Sequence, residues 1–389
     1  MEETLVEMVD LTPVYHWVFA GPGGPGFPGP AIFAASGDEL AFRVTNHLDE
    51  VHEFRVLGAG QGGADVDSGP IAPGETVEVR FTAPAGGTYL YLDPRNAPVN
   101  RALGLHGAFV VLPKNARENT PVNTPYSSPT ASVQRLFDDL GTAAHFPGDP
   151  WIPVRPGGVA VNPDLPPDIE PFLFRTRIWM FAQVDPAFNA LAASGANAEP
   201  GGGIDPAAFL QGFLPRYFLI NGRSGAFAAH GPQAKESLLE GFIGEPHLVR
   251  LLNAGVSRPS PHLHANHFYV LAVDNVVQDS AIHIDSMTLA TVEDAALPGR
   301  LSLKGGSRVD WLVAFIRPPD IPGNPDVPLR TLIPEELSTV IDGVVQSPLD
   351  YPMHNHTEQS QTAAGGNYPQ GGITHIVFLG DLDKVPFPT

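Results

Sequence analysis

The stretch Ser260-Pro-His-Leu-His-Ala-Asn-His-Phe-Tyr-Val-Leu271, set beside Tyr351-Pro-Met-His-Asn-His-Thr357, decides how this chain is read. Each contains His-x-His next to an apolar run. In a β-strand, residues two apart point to the same face. His262 and His264 therefore share one face of one strand, and His354 and His356 share one face of another. If the two strands are neighbours, four imidazoles converge on one small volume. Neutral imidazole is the commonest metal ligand and suits copper, zinc, iron and nickel. A single His-x-His is ordinary surface or core chemistry, but two of them in strand context predict a metal site on His262, His264, His354 and His356. His267 is off the parity of the first pair, so it reads as a structural residue or an outer partner of the site.

Composition narrows the class. At 389 residues the chain has room for two or three domains. Gly 41 and Pro 42 are high beside 43% hydrophobic residues, which describes a folded, loop-rich protein rather than a disordered one. The formal charge of −20 argues against nucleic acid or an anionic membrane as a partner. No apolar run approaches the roughly 20 residues needed to span a bilayer. Met1-Glu-Glu-Thr-Leu-Val-Glu-Met8 is acidic and lacks an apolar core, so it does not read as a secretory signal. The chain as given reads as cytoplasmic, or as one whose export segment has been removed. Cysteine is absent. That excludes disulfides, zinc–thiolate and iron–sulfur sites, a thiol nucleophile, and the Cys-ligated blue-copper centre.

Short alternating strands separated by Gly/Pro turns dominate, and long helical periodicity is nearly missing, so the fold class is all-β with Greek-key sandwiches. The expected organisation is a β domain over 10–115, a long Pro-rich connection over 116–170, and a second β domain over 171–389. In the first domain the strands are expected at Val14–Phe19, Ala31–Ala34, Leu40–Thr45, His52–Val56, Thr76–Phe81, Gly87–Leu92 and Gly107–Leu112. The connection carries one amphipathic segment, Ser132–Leu140, that suits a helix. Its length predicts ordering by contact with a domain or another subunit. Ala192–Gly203 is rich in small residues and reads as a surface loop.

The succession Gly29-Pro-Ala-Ile32, Gly37-Asp-Glu-Leu40, Val44-Thr-Asn-His-Leu-Asp49, Pro73-Gly-Glu-Thr76, Gly87-Thr-Tyr-Leu-Tyr91 and Leu105-His-Gly-Ala-Phe-Val-Val-Leu-Pro113 resembles a cupredoxin domain, as in multicopper oxidases and copper nitrite reductases. In the second half, Ile220-Asn-Gly222, Leu252-Asn-Ala-Gly255, Pro261-His-Leu-His264, Gly306-Ser-Arg-Val-Asp-Trp-Leu-Val313 and His354-Asn-His356 resemble the last domain of a multicopper oxidase. The resemblance implies two cupredoxin-like domains, with copper on the paired histidines. It also implies an assembly, since two-domain members commonly form trimers with a metal at the subunit junction.

The departures are as informative as the matches. Asn355 stands where the family has its type-1 cysteine, and Pro259 and Ser360 stand at the other type-1 ligand places. In the first domain, His52-Glu-Phe54 replaces His-Trp-His, and Leu92-Asp-Pro-Arg95 carries no ligand after the Gly-x-Tyr-x-Tyr strand. A trinuclear cluster takes histidines from the first domain as well, and there at most His52 remains. His106, in the turn into the last strand, reads as structural. The expectation is therefore one metal, or at most two, on the four histidines of the second domain.

Three functions are compatible with this reading. The leading one is a mononuclear copper oxidoreductase acting on a small molecule without a blue-copper relay. The others are a cupredoxin-fold scaffold that binds another protein, and a zinc-type hydrolase or lyase on the same imidazoles. In the stretch after the second pair, Glu358 and Tyr368 are the candidates for orienting a water or moving a proton. His375 reads as a core histidine or an outer partner. The expected partners are a small-molecule substrate and further copies of the chain, with a trimer favoured.

Overall fold

The computed structural model describes residues 1–113, 124–141, 176–195, 204–242, 246–295, 306–315, 340–341, 344–345 and 349–380. An N-terminal hairpin of β1 (Glu2–Glu7) and β2 (Pro13–Val18) opens the chain. Then follow β3 (Gly29–Ala35), β4 (Glu39–Thr45), β5 (His52–Val56), β6 (Val66–Ile71), β7 (Thr76–Thr82), β8 (Gly87–Leu92) and β9 (His106–Leu112). They form a five-stranded sheet in the order β3-β9-β8-β5-β6 and a two-stranded sheet β4-β7. The pairs β3-β9, β8-β5 and β4-β7 join strands that are not consecutive in sequence, as crossing Greek-key connections require. Aromatic side chains fill the space between them: Phe42, Phe54, Phe81, Tyr89, Tyr91 and Phe109 belong to one cluster.

The second unit contains β10 (Thr176–Val184), β11 (Tyr217–Ile220), β12 (Leu239–Phe242), β13 (His247–Asn253), β14 (Pro261–Leu263), β15 (Phe268–Val273), β16 (Val276–Val277), β17 (His283–Ile284) and β18 (Arg308–Val313). A short hairpin of β19 (Val340–Ile341) and β20 (Val344–Val345) precedes β21 (Leu349–Asn355) and β22 (Ile373–Gly380). The larger sheet runs β11-β10-β13-β18-β15-β16, and the smaller one runs β12-β22-β21-β14. Trp179, Leu251, Phe268 and Trp311 from the large sheet meet Leu263, Met353, Ile376 and Phe378 from the small one in a single core. The protein is thus all-β, built of two cupredoxin-like sandwiches.

β8 shows why the two units hold together. Every residue of Gly87-Thr-Tyr-Leu-Tyr-Leu92 is buried, although alternation should leave one face open. Tyr89 and Tyr91 enter the first core, while Leu90 and Leu92 pack with Met180, Leu252 and Ala254 of the second unit. A polar group crosses the same seam. Thr88 Oγ1 donates to Asp310 Oδ1 at 2.6 Å, and Arg250 Nη1 donates to Asp310 Oδ2 at 3.1 Å and to Thr88 Oγ1 at 2.9 Å. Tyr126, from the connecting segment, donates to Asp310 Oδ2 at 2.8 Å. The helix expected in that segment spans Ala131–Gly141, and its Val133, Leu136 and Phe137 lie in the second core.

Some local expectations change. β1 and β6 were not foreseen; the first carries three glutamates and the second contains Gly69 and Pro70. Ala192 and Ala193 close the helix Pro186–Ala193, which Asp185 caps through its side chain, rather than opening a loop. Residues 196–203 lie outside the described residues, as do 116–123 and 142–170 of the connection.

Candidate metal centre

β14 and β21 are adjacent and antiparallel, and His262 lies directly opposite His354. Opposed residues in an antiparallel pair project to the same side of the sheet. Leu263, Met353 and Thr374 alternate with the histidines and are buried at 1% exposure or less, so the core claims that face. The histidines are left on the outward face. His262 and His354 are partly buried there, while His264 and His356 are exposed. His264 lies one residue past the end of β14, and its backbone N–H still donates to the Pro352 carbonyl at 3.0 Å. That bond keeps it in register before Ala265 turns the chain at φ 54°.

Three ligand nitrogens, one each from His262, His264 and His354, lie within 4.8 Å of one another. His264 Nε2 and His354 Nε2 are 2.8 Å apart. Two imidazole nitrogens held about 2.0 Å from a shared ion stand about 2.8 Å apart at a right angle and about 3.3 Å apart at the tetrahedral angle. Without an ion the observed contact is a hydrogen bond, in which one ring's Nε2–H donates to the other's lone pair, and an ion entering between the rings displaces that proton. His356 falls outside this group of three. It follows the last residue of β21, and its ring centroid is 5.6 Å from that of His262 and 5.3 Å from that of His354.

The rings are held in orientations suited to ligation. His262 Nδ1–H donates to the backbone carbonyl of Asp285 at 3.2 Å, which leaves the Nε2 lone pair facing its neighbours. Tyr368 places its hydroxyl 2.5 Å from His354 Nδ1; with Nδ1–H donating to that oxygen, Nε2 again keeps its lone pair. Tyr368 is 8% exposed and sits at φ 60°, in the left-handed region that a non-glycine residue adopts at a cost. Burial raises its hydroxyl pKa. Desolvation, then the neighbouring imidazoles of His264, His262 and His356, push His354 down to about 4. Desolvation followed by His262 and His356 lowers His264 as well. Both rings are thus neutral at pH 7, the state in which imidazole binds metal.

Asn355 has become structural. It is 2% exposed, and its Oδ1 accepts the backbone N–H groups of Ser260 at 2.8 Å and Thr357 at 3.3 Å. The residue in the place of a copper thiolate thus ties the approach to β14 to the end of β21. Glu358 is exposed in the first turn of the short helix Glu358–Thr362, and among the described residues its carboxylate bonds to none of the four histidines. His267 lies beside His283, with ring centroids 5.1 Å apart and planes tilted by 44°. His375 bonds to Asp350 rather than to the histidine group.

The first-domain histidines are elsewhere. His52 is fully buried, and its Nδ1–H donates to Asp93 Oδ2 at 2.7 Å. Asn100 donates to the same oxygen at 2.9 Å. Asp93, in the segment where the resembled family carries ligands, serves here to hold a core histidine. His52 is therefore closed to a metal held by another subunit in this conformation. His106 is buried, donates Nδ1–H to the Arg101 carbonyl at 2.9 Å, and is structural. Sequence reasoning missed Asp285, because a backbone acceptor in a loop leaves no residue-type signal.

Residues 17–116 match the family model described as multicopper oxidase. That stretch, about a quarter of the chain, is similar to a multicopper oxidase domain. L-ascorbate oxidase from Cucumis sativus is 34% identical over 99 residues, 23% of this chain and 16% of that protein. Laccase-2 from Botryotinia fuckeliana is 29% identical over 203 residues, 50% of this chain and 30% of that protein. The matched segments thus span less than a third of these curated relatives. Among solved structures, the blue copper oxidase from Nitrosomonas europaea aligns with a TM-score of 0.56 at 20% identity, covering 97% of this chain and 83% of that one. Copper nitrite reductase from Nitrosomonas europaea aligns at 0.51 and 16% identity, covering 97% and 91%. At these identities the likeness is one of fold. The chain shares that fold but has no cysteine, the residue that makes a blue-copper centre.

Proposed function

We propose that the protein binds one metal ion, copper, on His262, His264 and His354, and acts as an oxidoreductase on a small molecule that approaches the outward sheet face. The observation that carries this reading is the convergence of three imidazoles, two of them with Nε2 atoms 2.8 Å apart, on a surface open to solvent. A copper ion there would supply one-electron redox chemistry. Asp285 and Tyr368 fix two of the rings from outside, and exposed His264 closes the third position. His356, exposed and adjacent, is the reserve fourth ligand or a group that meets the substrate. Without a thiolate relay, a reductant has to reach the site itself, so small molecules are served and bulky phenolic dyes are not.

Zinc on the same imidazoles, activating water for hydrolysis or a lyase step, is the second reading, since neutral imidazole serves zinc equally well. The likeness of residues 17–116 to a multicopper oxidase domain favours copper over it. A homo-oligomer, with a trimer favoured, is the assembly we propose from the family resemblance, and light scattering at micromolar concentration tests it. For the site, the test is metal content by mass spectrometry in the wild type and in a His354→Ala/His356→Ala double variant. The wild type should hold one copper per chain, with no intense blue thiolate band, and the double variant should hold none. Unchanged content in the double variant removes these residues from the site.

A further inference from the structure

Tyr368 is the last of five successive residues with positive φ: Ala364 at 61°, Gly365 at 116°, Gly366 at 99°, Asn367 at 57° and Tyr368 at 60°. Glycine adopts that region freely, but alanine, asparagine and tyrosine do so at a cost. Such a backbone persists only where its surroundings over-determine it. The loop that carries the phenol to His354 is therefore held from outside. The Tyr368 N–H donates to the Gln361 carbonyl at 3.0 Å, in the helix Glu358–Thr362. Just beyond Tyr368, the Gln370 carbonyl accepts the Phe218 N–H at 2.9 Å, and the Gly371 carbonyl accepts the Gly225 N–H at 2.8 Å. A Cβ at position 225 would stand 2.1 Å from the Pro369 carbonyl oxygen, so this approach admits only glycine.

A further anchor comes from the other end of the chain. Gln370 is 3% exposed, and its Nε2 donates to Asp10 Oδ2 at 2.8 Å across 360 residues of sequence. Asp10 lies in the turn between β1 and β2. Arg216 Nη2 donates to the same oxygen at 2.5 Å, Arg216 Nε donates to Gln370 Oε1 at 3.3 Å, and the Tyr217 hydroxyl donates to Asp10 Oδ1 at 2.9 Å. One carboxylate thus gathers the hairpin turn, the start of β11 and the segment that follows Tyr368. Met8 and Val14, on either side of the turn, are buried with Val184, Tyr217 and Leu219, so the turn is seated on the second unit. The Asp10 side chain is 28% exposed and that of Arg216 53%, so the ion pair itself adds little stability. What the carboxylate does is geometric. Without it, the Gln370 amide is a buried donor with its acceptor gone, and the segment shifts to find another.

Resting on the copper reading above, we propose that Asp10 is a positioning residue for the metal centre. Through Gln370, the N-terminal hairpin clasps the strained loop, and the clasp keeps the Tyr368 hydroxyl on His354 Nδ1. Releasing it lets the loop relax, the phenol leaves the imidazole, and His354 no longer holds its Nε2 lone pair toward His262 and His264.

The test uses the full chain and divalent copper, titrated in competition with a chelator at pH 7, with circular dichroism as the check on folding. Asp10→Ala should lower copper affinity about fivefold, less than direct loss of the outer partner, and should leave it within about twofold in a Tyr368→Phe background, because both changes act through one hydroxyl. Gln370→Ala, which leaves Asp10 with Arg216 and Tyr217, should behave as Asp10→Ala does and serves where the hairpin variant fails to fold. In copper-free protein, either variant should move the His354 ring-nitrogen NMR signals from the Nδ1–H tautomer toward a mixture, which loss of stability alone does not do. Affinity within twofold of wild type with unmoved ring signals overturns the clasp and leaves the copper reading standing. So does a fivefold loss that persists in the Tyr368→Phe background. Wild type that binds no copper overturns the copper reading and the positioning of a metal centre with it.

Discussion

Replacing Tyr368 with Phe removes one oxygen from the site and leaves nearly everything else in place. The ring is buried against its surroundings, with its centroid 4.9 Å from that of His354 and an edge carbon pressed on the position of Gly371, so the phenyl group should remain where the phenol was. What disappears is the hydrogen bond that orients His354 and keeps its Nε2 unprotonated. Losing an outer partner of a metal-bound imidazole costs about 10- to 100-fold in affinity. The lower end applies here, because His354 is only partly buried and water can replace the hydroxyl. The expected loss is therefore roughly tenfold, or about 1.4 kcal/mol, within the range of a single hydrogen bond to a partly desolvated group. The assay is a competition titration of copper against a chelator of known affinity at pH 7, with far-ultraviolet circular dichroism as a check on folding. An affinity within twofold of wild type in a folded variant would show that Tyr368 packs beside His354 without orienting it.

Other consequences follow from the buried polar groups. Asp310→Ala leaves Arg250 charged and 1% exposed with no carboxylate, and strands Thr88 and Tyr126, so it should cost about 3–5 kcal/mol in urea unfolding; a change below 1 kcal/mol contradicts the seam described here. His16 and His106 are buried and neutral, each pushed by desolvation to about 4, whereas in the unfolded chain they titrate near 6.5. Between those values the unfolded state binds the extra protons, so stability falls as pH drops from about 6.5 to 4, on the order of 3 kcal/mol for each ring. Glu50, pushed up to about 7 by burial, works the opposite way, so the comparison is between wild type and His106→Gln. The variant should show a shallower acid slope, and identical slopes refute the assignment.

Much of this was legible in the chain, and the parts that were not share a cause. His52–Val56 and Gly87–Leu92 are strands with the bounds their alternation gives, because hydrophobic period and β-branched or aromatic content agree there. β6 was hidden because Val66-Asp-Ser-Gly-Pro-Ile71 has poor strand propensity; it survives as an edge strand, where Pro costs no ladder bond. β1 is read from its partner, since Glu2–Glu7 pairs residue by residue with β2. Two-residue parity placed His262 and His354 on one face, and the register of β14 with β21 supplied their meeting. Parity alone says nothing of where a strand ends, and so it did not separate His264, whose ring nitrogen joins the group of three, from His356, whose ring does not. The links from Asp285 to His262 and from Asp350 to His375 depend on loops and on register, and no local pattern announces either.

The central claim is that three particular imidazoles share one copper ion. Pulsed electron paramagnetic resonance on protein carrying one equivalent of divalent copper counts the imidazoles coupled to the electron spin. The structure predicts three coupled rings in the wild type, with His262, His264 and His354 each removing one when changed to Ala, and with Tyr368→Phe retaining all three. A spectrum that keeps the same imidazole couplings in the His264→Ala/His354→Ala double variant would place the copper elsewhere and contradict the account.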